Sequence, residues 1–202
     1  MGEPEPKKWT LDAFLAWQDK QERRYELVNG APHRMRAGTE NVHDDIVVNI
    51  LAQLGTQLRG SGYRPFTGDG GAQTLPGQIR RPDIGVDCGR RDPNGYTAEA
   101  ARVIVEVLSP TTRDFDTFGK FAEYKTIPAL ERVLFVDPNL AEVMVWSKDS
   151  DGAWAKTICE GLDTTIALPE IGVTLPMAEI YDDVVFPANL RLTLMHGQKP
   201  GE

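Results

Sequence analysis

The chain has 202 residues, 41% of them hydrophobic and 26% charged, ordinary values for a soluble globular protein of one domain. No apolar run approaches the roughly 20 residues of a membrane helix, and the start, MGEPEPKKW, lacks the apolar core of a signal peptide. No membrane partner and a cytoplasmic location are therefore expected. The net charge of −8 argues against a generally basic, nucleic-acid-gripping surface: either any basic patch is local or the ligand is not a long nucleic acid.

Residues 1–8 are polar, carry two prolines and read as a loose tail before a single domain over 9–187. Thr10 reads as an N-cap, with Leu11, Phe14 and Leu15 recurring at helical spacing behind it. In RRYELVNGAPHRM, Asn29-Gly30 between extended runs signals a two-residue hairpin, since a type I′ turn needs positive φ at both positions. That loop sets Glu26 opposite His33, and spacing alone reads the two as a solvent-facing cross-strand pair.

Residues 42–58 give the clearest helix. Val42, Ile46, Val47, Ile50, Leu51, Leu54 and Leu58 fill one face, and His43 falls near the middle of that arc, as a core residue or a site residue. Gly60–Gly77 reads as a strand pair with loops, Tyr63–Thr67 and Ala72–Leu75. Its GDGG is not a phosphate loop, because no Lys-Ser/Thr follows.

Two central strands follow, 82–87 (PDIGVD) and 102–108 (RVIVEVL). The second is apolar and β-branched, the pattern of a strand covered on both faces. Glu106 interrupts it, and a buried carboxylate must be paired or hold a metal. The separation from Asp83 leaves room for a turn and a return, so the two strands can be neighbours. SPTTRD then reads as a turn and cap. In the helix over about 115–125, Asp116, Lys120 and Tyr124 repeat at i, i+4, i+8 as one polar stripe, which pattern alone reads as solvated. Arg132–Val136, Glu142–Trp146 and Trp154–Cys159 form an antiparallel meander. A short strand over Val173–Leu175 and a helical turn over Met177–Tyr181 follow it, and residues 188–202 read as a flexible tail. Cys88 and Cys159 read as free thiols.

Taken together, the sequence resembles the Uma2 family, placed in the PD-(D/E)xK restriction-endonuclease-like superfamily. The matching residues are YELVNG, His43 opening the long helix, RRPDIGV, and VIVEVLSPTTRDFDTFGKFAEY through LFVDP. The resemblance spans roughly Leu11 to Tyr181. It implies an α/β (α+β) fold, a restriction-endonuclease-like mixed central β-sheet flanked by helices with an antiparallel C-terminal meander. It also implies a site built from Asp83 and Glu106, with Glu26 as an acid from the N-terminal region. The superfamily motif puts lysine two residues after the acid. Here that position is Leu108, and the lysine has moved to the next helix as Lys120.

The chemistry implied is metal-dependent hydrolysis of phosphodiester bonds in DNA. Asp83, Glu106 and the Val107 carbonyl would hold Mg²⁺ or Mn²⁺. Lys120 would orient a water or offset developing charge, Glu26 and His43 would complete the shell or move protons, and Tyr124 would bond a phosphate. Asp116 is a further candidate, and a homodimer is a family-level expectation. Two rival readings remain. Leu108 and the acidic balance favour a non-catalytic binding or assembly module, and the acidic surface also fits a hydrolase of a small phosphorylated substrate.

Overall fold

A computed structural model describes residues 8–35, 40–75, 77–89, 92–98, 100–109 and 113–187, with the backbone alone for 113–118. Residues 1–7 and 188–202 of the terminal tails, and residues 110–112 of the SPTTRD turn, lie outside the described residues. In chain order the elements are α1 (Leu11–Gln18), β1 (Tyr25–Val28), β2 (Ala31–Arg34), α2 (Asn41–Gln57), β3 (Tyr63–Thr67), β4 (Gly71–Gln73), β5 (Ile79–Arg80) and β6 (Ile84–Cys88). Then come β7 (Thr97–Ala98), β8 (Ala101–Val107), α3 (Arg113–Tyr124), β9 (Arg132–Val136), β10 (Glu142–Lys148), β11 (Trp154–Glu160), β12 (Thr165–Leu168), β13 (Val173–Pro176) and α4 (Met177–Ile180).

The central sheet has six strands in the order β11-β10-β9-β8-β6-β3. It is mixed: β8 and β9 run parallel, joined by the crossover helix α3, and every other pair is antiparallel. The strands carrying the two acids are neighbours, with Ile84 opposite Val105. Asp83 itself stands just before β6, at its mouth rather than inside the strand.

β8 is covered on both faces, as its composition predicts. Val103, Val105 and Val107 pack with Ile46, Ile50 and Leu54 of α2. Ile104, on the opposite face, packs with Phe121 and Tyr124 of α3. Side chains alternate along a strand, so Glu106 points the way Ile104 does, at α3. No side chain caps the N-terminus of α2. Its seat on the sheet therefore comes from packing, where each fully buried Ile or Leu contributes about 1.5–3 kcal/mol.

A second sheet has the order β2-β1-β5-β4-β7. The expected hairpin forms, with Asn29 at φ 52° and Gly30 at φ 76° and with Glu26 opposite His33. Leu27 pairs with Ile79 and Ala72 with Arg80, so one face of this sheet carries the row Ala72, Arg80, Glu26, His33. Ala72 shares a cluster with Phe121 and Tyr124. Helix α3 therefore lies between the two sheets. On the other face, Leu27 and Ile79 pack against Phe14 of α1.

One expectation fails here. The segments read as a strand pair over Gly60–Gly77 belong to different sheets: β3 pairs with β6, and β4 pairs with β5 and β7. The turn closed by Gly70 N–H donating to Thr67 O (2.9 Å) redirects the chain, and Phe66 packs over Gly85. A Cβ at Gly85 would overlap the Phe66 ring. Gly85→Ala should therefore cost about 1–3 kcal/mol by overpacking, read as a lower urea midpoint with an unchanged slope.

The meander β9-β10-β11 forms as expected. β12, which the sequence reading missed, pairs with β13 and buries Ile166 and Leu168. Both cysteines are free thiols, as read from their spacing. Among the described residues no helix is long and apolar enough to cross a membrane.

Candidate active site

Glu106 is 5% exposed, near the end of a central strand. Lys120, one turn before the end of α3, sets its Nζ 3.1 Å from both carboxylate oxygens. Tyr124, one turn further on and fully buried, donates its hydroxyl to Oε1 at 2.5 Å. The i, i+4 stripe is thus not a solvated face. Its last two members converge on the carboxylate across the sheet-facing side of the helix, and the side chain of Asp116 lies outside the described residues. The Tyr124 hydroxyl is used on Glu106, so it orients the acid rather than reaching a phosphate.

Asp83 is tied to the same strand end. Its Oδ2 accepts from Val107 N–H at 2.8 Å and lies 3.3 Å from Nε2 of His43, in the first turn of α2. His43 is therefore not absorbed into the core cluster that its helical position suggested; its ring turns to an acid at the sheet edge.

Glu26 departs from the solvent-facing reading. Its side chain is 13% exposed, with Oε2 accepting from Arg80 NH1 at 2.9 Å and Oε1 from Arg81 N–H at 2.8 Å. Both oxygens are engaged, which makes it a bridged acid beside the site. The sequence reading missed Arg80 and Glu123. Arg80 donates from Nε and NH2 to the two oxygens of Glu123, at 2.8 and 2.6 Å. The hairpin fixes Glu26 on β1, but the pairing of β1 with β5 that sets Arg80 beside it is non-local and left no signal in the sequence.

Four carboxylates, Glu26, Asp83, Glu106 and Glu123, thus gather around Arg80, Lys120 and His43. Burial pushes the Glu106 carboxyl up from its ordinary 4.5 to about 7. Lys120 opposes that rise, Asp83 adds to it, and the Tyr124 hydrogen bond opposes it. Burial also works against a charged Lys120, but Glu106, Glu26 and Asp83 outweigh it and hold the ammonium well above its ordinary range. Burial disfavours the His43 cation too; the hydrogen bond and charge of Asp83, with Glu106 and the Val107 main chain behind them, raise it above 6.5. Tyr124, buried beside Glu106, stays a phenol at neutral pH and so remains a donor.

Among the described residues, no group of three or more His, Cys, Asp or Glu side chains is arranged to hold a metal ion. Side chains alone therefore do not make a closed, zinc-like centre. The carboxylates at this strand end are Asp83 and Glu106, and the Val107 main chain between them bonds Asp83 through its N–H and also contacts His43.

The mixed central sheet flanked by helices is a nuclease-like fold by its solved and family counterparts. The crystal structure of a DUF820 "putative nuclease" from Anabaena variabilis ATCC 29413 matches with a TM-score of 0.68, covering 87% of this chain and 99% of that one at 17% identity. An uncharacterised protein of Synechocystis sp. (strain ATCC 27184 / PCC 6803 / Kazusa) is 28% identical over 181 residues, 89% of this chain and 94% of its own. The model of the Uma2 family, described as "Putative restriction endonuclease", matches residues 11–178, and the chain belongs to that family.

Proposed function

We propose that this protein is a Mg²⁺- or Mn²⁺-dependent endonuclease that hydrolyses phosphodiester bonds of DNA. The observation that carries this reading is Glu106, a carboxylate on a buried strand with a lysine on both its oxygens and Asp83 one strand away. The donor set suits a hard cation that keeps several waters and shares phosphate oxygens: two carboxylates and the Val107 carbonyl, with no thiolate among them. A bound Mg²⁺ or Mn²⁺ would polarise the phosphate and lower the pKa of a water.

The chain's own residues would do the rest. Lys120, 22% exposed at its side chain, can orient the attacking water or face the negative charge that develops on the phosphoryl oxygens. His43 presents its Nε2 to Asp83, where it can hand a proton to that carboxylate or take one from it. Tyr124 fixes the rotamer of Glu106, and Glu26 adds negative charge that keeps Lys120 protonated. DNA as the substrate rests on the family description together with these groups.

A second reading has its own support. Every bond just described also satisfies the acids without a metal, and Leu108 stands where the superfamily motif has lysine. A binding or assembly module that keeps the nuclease fold would look the same. Calorimetric titration of Mn²⁺ into wild type and Glu106→Ala, with plasmid nicking on the same samples, separates the two. The nuclease reading expects wild type to bind and nick, and the mutant to do neither. Binding without nicking in wild type leaves the module, and no binding at all removes the metal mechanism.

A further inference from the structure

We infer that Arg80 is a positioning residue that locks the helix carrying Lys120 and Tyr124 to the hairpin carrying Glu26, without touching substrate. The geometry needs no assumption about activity; its catalytic consequence rests on the nuclease reading above. Each guanidinium nitrogen has a partner: Nε and NH2 fork onto Glu123 at 2.8 and 2.6 Å, and NH1 reaches Glu26 at 2.9 Å. The side chain is 12% exposed, so the fork is shielded and its donors are occupied. A planar fork satisfies two carboxylates from fixed directions, which a lysine cannot do.

The placement explains why the bridge matters. Helix α3 is held on one side by Lys120 and Tyr124 bonding Glu106 of the six-stranded sheet. On the other side Glu123, next to Tyr124 in sequence, is held by Arg80 of the five-stranded sheet, and the Thr74 hydroxyl lies 3.5 Å from it. Arg80 occupies a strand of two residues, flanked by β1 and β4, so its own backbone is fixed on both edges. Without the bridge, Glu26 and Glu123 would repel one another and the helix would be free to shift along the first sheet. A displacement of about 1 Å in a catalytic group can cost about a hundredfold in rate.

Arg80→Lys and Glu123→Gln test this, each with steady-state nicking and amide hydrogen exchange on the full chain. Both variants should lower kcat about 10–100-fold, with KM within about threefold. Exchange over residues 119–124 should accelerate at least about tenfold while β8 and β9 keep their protection. Wild-type kcat in both variants would overturn the inference, as would a raised KM at constant kcat, which means substrate contact. Unchanged exchange in α3 would overturn it whether or not the wild type cuts DNA. Faster exchange in a protein whose wild type cuts nothing upholds the bridge and sinks the nuclease reading instead.

Discussion

In Lys120→Ala, plasmid nicking is expected to fall about a thousandfold, the loss typical of removing one preorganised donor from a developing charge. Mn²⁺ binding should survive and tighten, because the ammonium now 3.1 Å from both Glu106 oxygens competes with a cation for them. Stability should move the other way. Breaking a buried pair by removing one partner leaves an uncompensated carboxylate and costs about 3–5 kcal/mol, partly relieved when Glu106 takes up a proton. The chain also offers an internal rescue. Leu108 follows Glu106 by two residues and packs, half-buried, against the same cluster under α3. Leu108→Lys added to Lys120→Ala would return the ammonium from the motif's usual position. Recovery of about tenfold or more in nicking would show that the charge, not the helix it comes from, is what the site requires. A Lys120→Ala protein that nicks at the wild-type rate would remove lysine from the mechanism.

The second large effect is on stability against pH in the metal-free protein. The Glu106 carboxyl is raised from 4.5 to about 7 by burial, against the pull of Lys120. A group whose pKa rises on folding binds its proton more tightly in the native state. Its contribution is fully present below pH 4.5 and is lost as the pH climbs through about 7. At 1.36 kcal/mol per unit this amounts to about 3 kcal/mol across the window. His43 is raised as well, mainly by Asp83 against its burial, and has the same sign. Urea midpoints in chelator should therefore fall steadily from pH 5 to pH 8. Glu106→Gln should remove most of the slope and leave the smaller His43 part. Parallel slopes in the two proteins would mean that Glu106 titrates normally and that its burial is offset elsewhere.

Much of this was legible in the sequence. Period-3.6 spacing located α2, a β-branched run located β8, and Asn29-Gly30 fixed the hairpin and its register. The acid inside β8 pointed to the site because a carboxylate in an apolar strand must be paired. Helical spacing put Lys120 and Tyr124 on one stripe but read it as solvated, and the resemblance, not the pattern, brought Lys120 to the acid. What stayed hidden was non-local. No pattern in Tyr63–Gln73 tells which of two sheets each strand joins, since short strands take their partners from packing. Arg80 and Glu123 look like ordinary surface charges in sequence, and only α3 lying between two sheets makes them meet.

That position of α3 also orders events while the chain is being made. Glu26, His43, Asp83 and Glu106 leave the ribosome before Lys120 and Tyr124, and β9, which pairs in parallel with β8, comes later still. The helix cannot settle until both of its supporting sheets exist, and contacts between distant segments are slow to form. A nascent chain would thus carry Glu106 before Lys120 and Tyr124 stand over it. On the nuclease reading, the site would therefore be complete only in the finished molecule.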